Sequence, residues 1–165
     1  MALRNIRKEG DPILRKISKP VGKITPRMKE LAEDLLETMD AAEGAGLAAP
    51  QVGVLRRMVA VHLEDGPQIL INPEIINEEG ECTEIEGCLS IPGFAGTVKR
   101  PQKITVRYQT LEEETVETDA EDFFAKTVCH EVDHLNGILF RDLVVEEVDI
   151  EDIQETEDKE ENEEA

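Results

Sequence analysis

Ala120–Gly137 reads AEDFFAKTVCHEVDHLNG, and the fold turns on this stretch. Phe123, Phe124, Val128, Val132 and Leu135 imply a helix buried on most sides, running from about Ala120 to Leu135. Asn136-Gly137 supplies the C-cap that ends it. Within it, His130 and His134 are one turn apart on a single face, with Cβ atoms ~5–6 Å from each other. Two imidazoles so placed can converge on one cation at roughly 2.0–2.1 Å, with Glu131 beside them as an acid/base group. The bland alternative is two solvent-facing histidines on a charged helix. Against it, the chain has three histidines, and two of them flank a glutamate at ligand spacing. A buried His-Glu-Asp-His run without a purpose would also carry a desolvation penalty.

Upstream, Asp11-Pro12 pairs an N-cap with a proline at the first helical position, predicting a short helix that Lys19-Pro20 ends. Thr25-Pro26 repeats the signal. Met28, Leu31, Ala32, Leu35, Leu36 and Met39 then recur at helical spacing, so an amphipathic helix of roughly 16 residues is expected there. Strands are predicted at Met58–Leu63, Gln68–Ile71 and Glu74–Cys82, and Lys103–Gln109 pairs with Glu114–Thr118 through the turn Thr110–Glu113. The order helix, strands, helix predicts an α+β fold, with mixed, largely antiparallel sheets packed around the helix that carries H-E-x-x-H.

Composition narrows the classes. A chain of 165 residues suits one core, and with no Trp, one Tyr and four Phe that core is mainly aliphatic. The net charge is −20, shared unevenly. Residues 146–165 hold 12 acids against one base, a net of −11, leaving 26 acids against 17 bases, or −9, for residues 1–145. The chain is therefore read as a catalytic domain, 1–145, and an acidic tail, 146–165, that begins as a helix and frays. This balance argues against direct nucleic-acid binding. No signal peptide or apolar span of ~20 residues is visible, so neither export nor a membrane is expected. Three cysteines, an odd number, suit reduced thiols and a cytoplasmic setting.

A catalytic metal site of this kind needs a third protein ligand and an open position. His62, Cys82, Cys88, Cys129 and the carboxylates are the candidates. Cys129 points ~100° around the helix from His130 and reads as a buried apolar side chain. His62 lies in a strand pattern and reads as structural. Cys88 stands in Glu86-Gly87-Cys88-Leu89-Ser90, a turn-rich segment, which alone is weak evidence. Gly44-Ala-Gly46-Leu-Ala-Ala49 mimics a dinucleotide-binding fingerprint, but a helix precedes it where a strand is required, and Pro50 and Gly53 deny it the helix that should come next. A loop where a peptide backbone approaches closely is the better reading.

Three segments together, Gly44–Gln51, Glu86–Ser90 and His130–His134, resemble in order and spacing the G-x-G-L-A-A-x-Q, E-G-C-L-S and H-E-x-D-H motifs of the peptide deformylases. The resemblance covers roughly residues 1–145. It implies that Cys88, His130 and His134 hold one divalent metal ion, Fe(II) by family habit, with Zn, Ni or Co also suited to these ligands. It implies Glu131 as general base and acid, Gln51 and the Leu89 N–H as oxyanion donors, and metal-bound hydroxide as the attacking group. The substrates it implies are N-formylmethionyl peptides of nascent chains. Gly44, Ala45, Gly46, Glu86, Gly87, Phe123 and Phe124 are the expected peptide contacts. Proximity to the ribosome is then expected to be transient and independent of the acidic tail, which RNA would repel. Two departures stand out: Cys129 takes a place where many relatives have Gln, and Gly93-Phe-Ala-Gly96 lacks an Arg that many bacterial relatives carry. Asp133 is expected to pair with a base such as Arg100. The rivals are an H-E-x-x-H zinc peptidase, which would recruit a further ligand downstream, and a non-catalytic metal-binding module.

Overall fold

Both proline start signals open helical turns, but only the second leads into a long helix. The computed structural model describes residues 2–149. Asp11 accepts a hydrogen bond from the Ile13 N–H (3.1 Å), opening a 3-10 turn at Pro12–Arg15 in place of the expected longer helix. The chain turns extended because the Ser18 N–H bonds instead to the Leu135 carbonyl at 2.8 Å. Thr25 caps the Met28 N–H (3.3 Å), and α1 runs Pro26–Ala41 with Leu31, Ala32, Leu35 and Met39 on its buried face.

The glycine-rich segment is a three-residue strand, β1 (Gly46–Ala48), continued by a 3-10 turn at Ala49–Val52 that Gly53 ends at φ +88°. Next come β2 (Met58–Leu63), β3 (Gly66–Glu79), β4 (Cys82–Cys88), β5 (Ile91–Arg100), β6 (Lys103–Gln109) and β7 (Thr115–Glu121). The chain finishes with α2 (Phe123–Leu135), a 3-10 turn at Phe140–Leu143, and β8 (Val144–Val148). The sheets are β1-β2-β3-β6-β7 and β4-β5-β8, and every strand pair is antiparallel. Among the described residues, the expected parallel component is confined to one isolated bridge, Lys19 to Arg56.

β2 explains how the large sheet carries both helices. Val59, Val61 and Leu63 join a cluster with Val128 and Leu135 of α2. Met58 and Ala60, on the other face, join Leu31, Leu35 and Met39 of α1. Strand side chains alternate between faces, so a nearly continuous apolar run is what a strand covered on both sides requires. Each fully buried Leu or Val here contributes roughly 1.5–3 kcal/mol.

Four expectations need correction. The segment read as Gln68–Ile71 and Glu74–Cys82 is one long strand, β3, with irregular register between Ile71 and Asn77; a new strand begins at Cys82. The turn-rich stretch around Cys88 is a hairpin, β4 and β5, whose only turn residues are Leu89 and Ser90. The second helix begins at Phe123, not Ala120, because Ala120 and Glu121 pair with Ile104 and Lys103 in the β6–β7 hairpin. The first residues of the tail form β8, with Val148 opposite Ala95, so β-branched side chains and an open β5 edge override helix formation there. The remainder of the acidic tail lies outside the described residues. Among the described residues, no helix is long and apolar enough to cross a membrane.

Candidate metal centre

The position of α2 is fixed at its C-terminal end. The Ile138 N–H bonds the Asp133 carbonyl (2.9 Å) and the Gly137 N–H bonds that of His134 (3.2 Å), a Schellman closure with Gly137 at φ +74°. A Cβ at Gly137 would lie 2.5 Å from the Arg15 carbonyl oxygen, so only glycine fits there. The C-cap expected from Asn136-Gly137 is formed. The last turns of the helix then present His130 and His134 to the end of β4.

There the hairpin delivers Cys88. Its Sγ is 3.4 Å from His134 Nε2, which is 3.2 Å from His130 Nε2. Ligand atoms of the three residues lie within 4.8 Å of one another, the one such metal-binding group among the described residues. His62, Cys82 and Cys129 stand outside it. Burial pushes the Cys129 thiol up to about 12, which keeps it protonated.

The donor set fits a divalent cation by its own chemistry. Two Nε2 atoms facing each other at 3.2 Å need a proton or a cation between them. Burial opposes charge on His130, yet hydrogen bonds with Cys88 and Glu86 and the charge of Glu131 outweigh it and hold the ring up to about 10. The surroundings thus favour positive charge at this point, which a metal ion supplies while leaving the imidazole neutral. Burial and the neighbouring His130 hold His134 well below the usual histidine range, as a ligand nitrogen requires.

Glu86, expected as a peptide contact, lines the cavity over the site, but its carboxylate has other partners. That carboxylate is turned inward, 2.9 Å from His130 Nδ1 and bidentate to Arg100 at 2.9 and 3.0 Å. Arg100 also donates to Asp133 at 2.6 Å, the pairing anticipated from the sequence. Glu86 therefore orients the His130 ring, a role often filled by a carboxylate behind a metal-binding histidine. Although burial raises it, its hydrogen bonds to His130 and Arg100 bring its pKa down to about 2.

Glu131 is 3% exposed, and its Oε2 has no hydrogen-bond partner among the described residues. Its Oε1 is 3.9 Å from His130 Nε2. Burial pushes its pKa up to about 7, with the positive charges of His130 and Arg100 opposing. Gly46 makes room for it: a Cβ there would meet Glu131 Cγ at 2.7 Å and Oε1 at 2.9 Å. Gly44 does the same for Leu89, whose Cδ1 would lie 2.8 Å from an added Cβ.

Gln51 is buried with its amide orientation fixed. Oε1 accepts from the Ala48 N–H (2.9 Å), so Nε2 faces Ser90 Oγ (3.0 Å) and Cys88 Sγ (3.7 Å). Leu89, in the turn directly after Cys88, stands beside it. A cavity of about 640 Å³ opens over this group and takes in Gly44, Ala45, Gly46, Gly87 and Phe123. Phe124 is not part of it: it packs against the core under α2 and lines a separate acidic cleft. Helical periodicity explains the error, since Phe123 lies seven residues before His130 on the ligand face and Phe124 does not. The same rule points to Lys126 and Thr127, four and three residues before His130, which line the cavity and are absent from the expected contacts. Ser90, fully buried, has no signal beyond its place in the motif.

The class this chemistry defines is a metal-dependent hydrolase. A family model described as polypeptide deformylase matches residues 3–149. The peptide deformylase of Acetivibrio thermocellus is 52% identical over 154 residues, 93% of this chain and 91% of its own. Peptide deformylase 1 of Clostridium acetobutylicum is 49% identical over 146 residues, 88% of this chain and 97% of its own. Among solved structures, the peptide deformylase of Thermotoga maritima superposes with a TM-score of 0.85 at 41% identity, covering 87% of this chain and 99% of that one. A Met-Ala-Ser-bound class I type b peptide deformylase from Acinetobacter baumannii gives 0.83 at 36%, covering 87% and 99%. The chain belongs to the polypeptide deformylase family, and its activity is removal of the N-formyl group from nascent peptides.

Proposed function

We propose that Cys88, His130 and His134 are the metal ligands, that Glu131 moves the protons, and that Gln51 and Leu89 receive the developing oxyanion. The observation that carries this reading is the convergence of one thiol and two imidazole nitrogens beside a buried carboxylate oxygen that has no partner among the described residues. A divalent cation bound there supplies the acidified water and the carbonyl polarisation that amide hydrolysis needs. Fe(II) is the ion proposed; Zn, Ni and Co suit the same donors.

The chain's own groups do the rest. Glu131, held near neutrality, accepts a proton from water as it attacks the formyl carbon and returns it to the departing amine. Gln51 Nε2 and the Leu89 N–H stand where the formyl oxygen gains charge, and donors fixed in advance cost no reorganisation at that moment. The bond broken is that between the formyl carbon and the methionine nitrogen, giving formate and a free amine.

The peptide is proposed to lie extended between two open edges. β1 and β4 are the outermost strands of their sheets on this side, and Gly46 and Gly87 leave their backbones accessible. Strand addition of this kind supplies main-chain hydrogen bonds without reading the sequence. That a relative has been crystallised with Met-Ala-Ser supports an unblocked methionyl tripeptide as the product occupying this groove. The setting proposed is the cytoplasm, with residues 146–165 taking no part in ribosome contact.

Glu131→Gln tests the assignment of roles. It retains shape and ligands while removing the base. The expected result is metal content equal to wild type with deformylation of formyl-Met-Ala-Ser reduced at least ~100-fold. A variant within twofold of wild type would assign proton transfer elsewhere.

A further inference from the structure

We infer that Arg7-Lys8-Glu9 is a positioning strap, which sets the separation of the two oxyanion donors, Gln51 and Leu89, across the joint between the two sheets. The inference rests on the roles proposed above for those two residues and goes beyond them, to what holds them in place. Gln51 sits in the 3-10 turn that follows β1 of the large sheet, whereas Leu89 and Ser90 turn the β4–β5 hairpin of the small one. Neither sheet by itself fixes one donor relative to the other. Three consecutive residues do. The Arg7 N–H donates to the Gln51 carbonyl (2.6 Å), Lys8 Nζ to the Leu89 carbonyl (3.1 Å), and the Glu9 N–H to the Ser90 carbonyl (2.8 Å). Two residues of chain span at most ~7 Å, so the outer two bonds limit how far Gln51 and Ser90 can part.

The bonds close a ring. Gln51 Nε2 lies 3.0 Å from Ser90 Oγ, so these two residues meet directly through their side chains and again, through their carbonyls, by way of the strap. The strap is anchored at both ends. Upstream, Arg4 Nε pairs with the buried Asp34 of α1 (2.8 Å); downstream, Glu9 accepts from Arg141 Nε, beyond the end of α2 (2.7 Å). It stops in a turn, where the Asp11 N–H donates to the Lys8 carbonyl at 3.0 Å and Gly10, in third place, has φ +104°. This type II pattern leaves the N–H of its second residue, Glu9, outside the turn's own bond and available to Ser90. All three strap residues are exposed. Water competes for the Lys8 head group, so most of the grip lies in the two backbone bonds.

The test uses metal-loaded enzyme on formyl-Met-Ala-Ser. Proline suits the second place of a type II turn, so Glu9→Pro keeps the turn and removes the N–H, whereas Glu9→Ala removes the same carboxylate and keeps the N–H. The proline variant is expected to have a kcat at least ~10-fold below the alanine variant, part of the ~10²–10³ that a whole oxyanion donor supplies, with KM and metal content equal in the two. The product Met-Ala-Ser lacks the formyl oxygen, so its inhibition constant is expected to agree within twofold. Where Glu9→Pro does not fold, Lys8→Met decides: a loss of a few fold in kcat is expected, recovered by Lys8→Arg. A kcat ratio within twofold in the deciding pair, or a loss carried by KM or by metal content, overturns the inference. Gln51→Ala, run alongside, is expected to lose at least ~100-fold in kcat. Should it stay within twofold of wild type, the oxyanion roles beneath the inference fall instead.

Discussion

Arg100 and Arg107 lie seven residues apart, and each bonds a glutamate, yet the two ion pairs are different objects. Arg107 meets Glu117 across the β6–β7 hairpin at 3.0 Å, both about half exposed. Arg100 meets Glu86 and Asp133 under the metal centre, with its own side chain 7% exposed. Water screens the first pair and leaves it little to contribute. The second is deprived of water, so each charge depends on its partners, and through Glu86 the network reaches the ring of His130. Burial, more than composition, separates a decorative charge from one that holds a site together.

The sharpest way to break the buried side is Arg100→Met, which leaves Glu86 and Asp133 facing each other. A loss of roughly 3–5 kcal/mol in urea unfolding is expected. Acid probes the same network. The Glu86 pKa is lowered from 4.5 to about 2, so its contribution is complete above pH 4.5 and is lost as pH falls toward 2. That amounts to about 3 kcal/mol in the metal-free protein. Glu86→Gln should abolish this acid transition and also weaken metal retention ~10–100-fold in chelator competition. Arg107→Ala should change stability by less than about 1 kcal/mol and leave metal retention untouched. If it cost as much as Arg100→Met, the contrast would fail.

Much of the molecule is legible in its sequence where short-range chemistry decides. The i, i+4 spacing puts His130 and His134 on one face, Asn136-Gly137 marks the end of α2, and Thr25-Pro26 marks the start of α1. What cannot be read depends on long-range pairing. Ala120 and Glu121 look helical by themselves and are taken by β6; Val144–Val148 leads into an acidic composition locally and is taken by β5. The role of Glu86 is hidden for the same reason. Nothing near it in sequence indicates that residues 14 and 44 positions away, Arg100 and His130, absorb its carboxylate. Cys88 is identified through the motif resemblance, since a cysteine beside a glycine carries no geometric signal of its own.

The central claim is that a hairpin thiol completes a metal site begun by the helix. Metal quantification on anaerobically purified Cys88→Ser and wild type, with deformylation measured on the same samples, tests it most directly. The account predicts about one divalent ion per wild-type chain, and a variant depleted of metal and of activity together. A serine variant that keeps both its ion and its turnover would contradict it.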